Sequence, residues 1–265
     1  MKTYFGRLWL SLAGLMVVLH SGPAFAQSSA TDTSDTSPII IEADDALEWN
    51  QSERYYLATG NSYVEQGSQI IEAEHIQAFY SAEEDGGDIT HVTANGNVRM
   101  KDETQSARGE TLDYDIKTGI YKLTGQTLEV ITTDATAKAN QLLEFFTLED
   151  RMHAVGDAQI TLPDGRILEA DDIQIQNHED GTVDQIDAAG NVVIIMENDR
   201  SAKADTAIYT QKAGTALLTG NVTISEGGNI LNGQKAEIDF NSGISKMLAF
   251  GKSRVTGIFR PASAE

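Results

Sequence analysis

Two adjacent carboxylate pairs, Asp44-Asp45 and Asp171-Asp172, are the side chains in this sequence best suited to acid–base chemistry on a sugar polymer. A glycosidase needs two carboxyl groups facing one substrate. Neighbours along a strand project to opposite faces, so neither pair converges by itself. Each pair follows an alanine, Ala43 or Ala170, at the same place in a repeat, and reads as a structural turn or solvated edge. The histidines beyond the first residues, His75, His91, His153 and His178, stand at no ligand spacing. The sequence contains no Gly-x-Ser-x-Gly, phosphate loop or dinucleotide fingerprint, and lacks the calcium-binding nonapeptide of secreted β-rolls. The acidic run Glu83-Glu84-Asp85 reads as a solvated loop. The expectation is a protein that is not an enzyme, with no cofactor and no metal.

The elements that carry these residues are repeats. A marker glycine recurs at 60, 96, 125, 156, 190, 220 and 251, and four of the seven open a Gly-Asn pair. A period of about 30 residues without helical punctuation indicates one β unit stacked on copies of itself. After the glycine comes an alternating run: Val98 and Met100; Ala158, Ile160 and Leu162; Val192, Ile194 and Met196; Val222 and Ile224, with Thr223 and Ser225 between. A second run starts from Ala43, Ala73, Ala107, Ala139, Ala170, Ala204 or Gly233. Its apolar members are Ile76, Ala78 and Tyr80; Leu112 and Tyr114; Leu142 and Phe146; Ile173 and Ile175; Ala207 and Tyr209; Ala236, Ile238 and Phe240. The first unit is one residue out of step, with Leu47 and Trp49 in the corresponding places. A third run returns to the next glycine, with Tyr56, Val92, Tyr121, Met152, Ile186, Ala216 or Met247 four residues before it.

Period-two alternation marks strands with one buried face. Turn chemistry separates the runs at Lys117-Thr118-Gly119, Asp164-Gly165, Asp180-Gly181, Gly227-Gly228 and Asn241-Ser242-Gly243. The reading is all-β: roughly 20 short strands, three per unit, in two walls with apolar faces inward. Periodicity leaves parallel and antiparallel stacking open, and tight glycine turns favour antiparallel.

Lys2 and Arg7, the apolar stretch Leu8 to Leu19 and Ala24-Phe25-Ala26 form a secretory signal peptide over residues 1–26. Residues 27–37 read as a disordered leader, 38–260 as one elongated domain and 261–265 as a tail. The expected location is the periplasm. There are no cysteines, so the sheet carries its stability without disulfides. With 40 acidic and 19 basic residues and a formal net charge of −21, the chain is not a nucleic-acid binder.

Ile39-Ile40-Ile41-Glu42-Ala43-Asp44, Leu47, Trp49, Thr59-Gly60-Asn61, Leu218-Thr219-Gly220-Asn221-Val222-Thr223-Ile224 and the stretch Gly233 to Phe240 resemble the OstA-like family of lipopolysaccharide-transport proteins. The similarity runs over about 39–255. It implies an elongated, open antiparallel β-jelly roll that holds lipopolysaccharide acyl chains inside and stacks end to end as a bridge between two membranes. The implied partners are lipopolysaccharide, through its lipid A acyl chains; like-folded inner-membrane-anchored and outer-membrane transport components; and further copies of itself, head to tail. The chain carries more repeats than a compact bridging member of the family needs.

The candidate acyl-chain contacts are bulky members of the apolar faces: Leu47, Trp49, Val98, Met100, Leu112, Tyr114, Phe146, Met152, Ile160, Ile173, Ile175, Ile194, Met196, Tyr209, Val222, Ile224, Ile238, Phe240 and Met247. Methionine is common where a surface repacks around varied apolar partners. Ile39, Ile40 and Ile41 at one end, and Val255 and Ile258 at the other, are the candidate association edges. The alternative function is a secreted β-solenoid that acts on or adheres to polysaccharide.

Overall fold

The computed structural model describes residues 38–82, 87–178, 182–251 and 253–260. The signal peptide, leader and tail read from the sequence lie outside the described residues, as do Glu83-Glu84-Asp85 and the Asp180-Gly181 turn. The described residues form eighteen strands. They are β1 (Ile39–Glu42), β2 (Ala46–Asn50), β3 (Tyr55–Gln66), β4 (Gln69–Tyr80), β5 (Ile89–Lys101), β6 (Ser106–Asp115), β7 (Ile120–Thr124), β8 (Leu128–Ile131) and β9 (Thr136–Ala139). They continue with β10 (Leu142–Phe146), β11 (Arg151–Thr161), β12 (Ile167–Asn177), β13 (Val183–Ile195), β14 (Ser201–Thr210), β15 (Thr215–Glu226), β16 (Asn229–Asp239), β17 (Ser245–Leu248) and β18 (Thr256–Ile258). Every pairing is antiparallel, which resolves the alternative that periodicity left open. No helix among the described residues is long and apolar enough to cross a membrane.

The three runs per unit prove to be two strands. The marker glycine does not end a strand; it bends one. β3, β5, β11, β13 and β15 each run through their glycine, whose φ lies between +77° and +86°. The bend arises from a bulge, seen in the register between β3 and β4. Thr59 faces His75 and Ser62 faces Ala73, so Gly60 and Asn61 together oppose Glu74. Two residues against one sharpen the twist and turn the strand, and glycine takes the positive φ without strain. The same slip recurs at 95/98, 189/192 and 219/222. At Gly125 and Gly251 the strand breaks instead, giving β7 and β8, and β17 and β18.

Each long strand therefore serves two walls. Wall A contains β2, the glycine-preceding halves of the bent strands, the pairing β7–β10 and β17. Wall B contains β1, the glycine-following halves, the pairing β8–β9 and β18. The bulges join the walls along one seam, and hairpin turns line the two far lips.

Side chains of the inner faces fill the space between the walls. Ala94, Val98, Leu143, Ala154, Ile173, Ile175, Leu218 and Ile238 are wholly excluded from solvent. Burying each Leu, Ile or Val contributes about 1.5–3 kcal/mol. Midway along the stack the rings of Tyr114 and Tyr121 lie 3.6 Å apart between centroids and nearly parallel. Among the described residues β1 and β2 at one end pair only with β3, and β17 and β18 at the other pair only with β16.

Candidate functional site

Of the residues read as acyl-chain contacts, Val98, Met100, Leu112, Tyr114, Met152, Ile160, Ile173, Ile175, Ile194, Val222, Ile224 and Ile238 are buried between the walls. Met196, Tyr209, Phe240 and Met247 are partly buried and pack on that core. Leu47 and Trp49 share the inner face, opposite Ala58 and Tyr56, yet are 58% and 59% exposed because the stack ends there. Trp49 stacks on Tyr56 and donates its Nε1–H to the Tyr80 hydroxyl at 3.0 Å, extending an aromatic platform to the open end.

Phe146 is a correction. It lies on the outer face opposite Ile120 and Arg151, with the Arg151 guanidinium 3.5 Å from its ring centroid. The inward residues of β10 are Leu143 and Phe145, which face Leu123 and Tyr121 across β7. The cause is one extra residue at the seam. β9 and β10 keep continuous register against β11, so Asn140 and Gln141 oppose Gly156 and Asp157 two against two, and the parity shifts. Asp44 and Asp45 do the same between β1 and β2, which accounts for the first unit's offset.

The carboxylate pairs belong to the seam. Asp44 accepts a hydrogen bond from Asn61 at 2.7 Å, and the Asp45 side chain lies over Gly60. Asp171 takes the Asn191 amide, while Asp172 turns to His153 Nε2 at 2.8 Å on the outer face. Neither pair frames a substrate. Among the described residues no group of three or more His, Asp or Glu is placed to hold a metal ion.

One stretch of the inner face is not filled. In the C-terminal half a cavity of about 120 Å³ opens between the far lips. Wall B lines it with Ile160, Leu162, Arg166, Ile167, Leu168 and Ile194, and wall A with Val183, Ile186, Ala188, Ala207, Tyr209, Gln211, Ala216 and Phe240. The contrast with the middle is one of side-chain size. Tyr114, Tyr121, Phe145 and Met152 fill the centre, whereas Ala188, Ala207 and Ala216 leave room beside Phe240. Burial raises the Tyr209 hydroxyl pKa, and the nearby Arg166 charge pulls it the other way. The sequence reading placed Ile160, Ile194, Tyr209 and Phe240 correctly in one apolar face. It did not mark Arg166 and Gln211, which stand beside turns and break no periodic pattern.

Several basic side chains are engaged away from this cavity. Arg108 and Lys138 pair with Glu129, Lys122 with Glu144, and Lys101 with Glu72.

The sequence matches the family described as "LptA/(LptD N-terminal domain) LPS transport protein" over residues 40–145 and 153–244. The chain belongs to this LPS-transport family. The match spans the bent strands of both walls and all of the cavity lining. Among curated relatives, the LPS-assembly protein LptD of Sodalis glossinidius is 28% identical over 111 residues, 39% of this chain and 14% of that protein. An uncharacterized protein of Rhizobium meliloti is 32% identical over 131 residues, 45% of this chain and 65% of the relative. This chain thus covers a small part of the first relative and just under two thirds of the second. Among solved structures, LptH of Pseudomonas aeruginosa, described as the LptA-homologous periplasmic component of the LPS transport device, aligns with a TM-score of 0.40 at 19% identity. That alignment covers 46% of this chain and 85% of LptH. The family is one of LPS-transport proteins.

Proposed function

We propose that this protein carries lipopolysaccharide through the periplasm, shielding acyl chains between its two walls and passing them on by end-to-end contact. The partners would be like-folded, inner-membrane-anchored and outer-membrane components, and the chain would act after removal of residues 1–26. The observation that carries this reading is the apolar cavity between the lips at Phe240, Tyr209, Ile194 and Ile160. An acyl chain of about 12–14 carbons, at about 0.8 kcal/mol per CH₂, costs on the order of 10 kcal/mol to expose to water. A carrier must therefore offer a dry, adaptable surface along its length, and Met196, Met247 and Phe240, partly buried and packed on the core, provide yielding side chains.

The test is site-specific photo-crosslinking in cells that make the protein. Crosslinkers at Ile194 or Phe240 are expected to capture lipopolysaccharide, while those at Thr223 or Ser225 on the outer face of β15 are not. The outer placement is supported by the hydrogen bonds of Thr223 to Asn232 and of Ser225 to Ser201. Equal capture on both faces overturns the interior carrier.

A further inference from the structure

Two arginines on the lip of wall B lean across the opening to wall A. Arg166 closes the turn between β11 and β12. Its guanidinium is held by Asp164, with Nε 2.9 Å and Nη2 2.8 Å from Oδ2, and lies 5.5 Å from the Phe240 ring centroid. Arg200 closes the next turn on the same lip, between β13 and β14, and its Nη2 donates to Ser245 Oγ at 2.5 Å, at the start of β17 on wall A. Arg200 has no carboxylate within ion-pairing distance among the described residues, although Glu197 and Asp199 stand in its own turn. The two turns are two strand spacings apart, about 10 Å. Gln211, in the cavity lining on wall A, accepts the Tyr209 hydroxyl at 2.6 Å through Oε1, which leaves its amide N–H groups as donors.

We infer that this lip is an anion-recognition edge: Arg166 and Arg200 take the phosphate of an acylated phosphate amphiphile whose chain lies in the cavity beneath. The inference rests on the reading of the cavity as an acyl-chain site. Four observations meet here. The protein carries a formal charge of −21, so a phosphate meets net repulsion at long range and needs a directed local site. Arg108, Lys122 and Lys138 are already paired on the outer face, whereas Arg166 borders the apolar space itself. Guanidinium offers a planar fork of donors that matches phosphate oxygens, and Asp164 fixes the fork of Arg166 while leaving Nη1 uncommitted. Ser245 and the Phe240 ring are weak, uncharged partners, which an oxyanion can displace without leaving a buried charge. The resulting geometry is amphipathic, with the head on the lip and the tail between the walls.

Isothermal titration of the mature protein with dodecyl phosphate, dodecyl maltoside and inorganic phosphate separates head from tail. The phosphate amphiphile is expected to bind about tenfold tighter than the maltoside at low salt, with the difference shrinking as ionic strength rises. Arg200→Gln should weaken dodecyl phosphate about tenfold or more, as expected for a lost charged hydrogen bond, and leave dodecyl maltoside within about twofold. Arg166→Gln, which also alters the cavity lining, should weaken dodecyl phosphate several-fold more than it weakens dodecyl maltoside. Arg200→Lys should retain part of the preference. Equal loss for both amphiphiles means that the arginines only clasp the walls together, which overturns the inference. So does inorganic phosphate binding as tightly as dodecyl phosphate, because the site would then serve a free anion. If the maltoside binds the wild type and the phosphate shows no preference, the lip proposal alone fails. If neither amphiphile binds, the acyl-chain reading fails with it.

Discussion

Asn191 donates its side-chain amide to Asp171, with Nδ2 2.9 Å from Oδ2 and 3.2 Å from Oδ1, at the corner where β13 leaves one wall for the other. Asn221 with Asp205, Asn97 with Glu74 and Asn61 with Asp44 repeat the contact along the seam. At Asn140 and Asp157 the two partners exchange strands. Asn61, Asn97, Asn191 and Asn221 all have positive φ, a conformation asparagine tolerates better than most residues. At Asn97, Asn191 and Asn221 the carboxylate that answers the amide also packs over the neighbouring glycine, while at Asn61 the two tasks fall to Asp44 and Asp45. The seam thus uses an Asn, an acid and a Gly as one device, and of the acids that looked catalytic Asp44, Asp45 and Asp171 are its fasteners.

Gly190→Ala should therefore be far more damaging than a change at an ordinary turn glycine. A Cβ at Gly190 would sit 2.3 Å from Asp171 Oδ2, at φ +77°. The left-handed conformation alone costs about 1–2 kcal/mol, and the steric conflict adds to it, so a loss of about 3 kcal/mol is expected. Gly165→Ala, at φ +86° but with nothing within 4 Å, should lose only the conformational part. Urea denaturation of the two variants measures the difference, and equal losses would contradict the seam device.

Phe145→Ala and Phe146→Ala separate the two faces of β10. Phe145 is buried against Tyr121 and Met152, and its truncation should cost about 3–5 kcal/mol. Phe146 chiefly stacks with Arg151 at the surface, where such a contact is worth about 0.5–1 kcal/mol. If the order of the two losses were reversed in denaturation, the inward assignment of Phe145 would be wrong.

That neighbouring pair shows what the sequence makes legible and where it stops. Strand faces were readable wherever hydrophobic alternation ran unbroken, as at Val192, Ile194 and Met196. The recurring glycines marked the unit correctly, but a glycine that bends a strand and one that ends it leave the same trace in a linear pattern. Only pairing distinguishes them: Gly60 lies inside β3, whereas Gly125 lies between β7 and β8. The extra residue at Asn140-Gln141 carries no glycine of its own, so the parity change that turns Phe145 inward was hidden. The cavity depends on the difference in volume between facing residues, such as Ala188 in one half and Tyr121 in the other. Periodicity records that both are apolar and says nothing of the space they leave. Arg166 and Arg200 meet wall A across the opening, far from their partners in sequence, and only the folded lips bring Ser245 and Phe240 to them.

Acid should loosen the far lips first. The Asp115 carboxylate is held below its ordinary pKa by the Thr118 backbone N–H, Asp164 by Arg166, and Asp239 by the Ser242 hydroxyl and backbone. A carboxylate with a depressed folded pKa contributes stability that is fully present above its unfolded value, near 3.8 here, and is lost as pH falls through the folded value. Melting temperature should be flat with respect to these groups above about pH 5 and should fall below about pH 4. Asp164→Asn should lower the melting temperature at neutral pH and flatten the acid slope. An unchanged slope would show that the Arg166–Asp164 pair does not contribute to the folded state.

The two ends of the stack bring the last prediction. Among the described residues β1 and β2 have no second partner, and neither do β17 and β18, so each end offers backbone groups that no described strand pairs. Large exposed apolar side chains gather at the same places: Ile39, Ile40, Leu47 and Trp49 at one end, and Phe250, Val255, Ile258 and Phe259 at the other. Soluble proteins usually blunt such edges with charge, proline or a cover, and bare ones suit strand addition. Because the two ends differ, contact between them is heterologous and should yield a ladder of sizes that grows with concentration, not a closed dimer. Ile40→Pro removes a backbone donor from one end strand, and Ile258→Lys places a charge on the other. Each should shift the ladder about tenfold toward monomer in analytical ultracentrifugation while leaving the melting temperature nearly unchanged, since neither side chain is in the core. A wild-type protein that stays monomeric at high concentration and pairs with no like-folded partner would refute end-to-end transfer, even if acyl chains still bound between the walls.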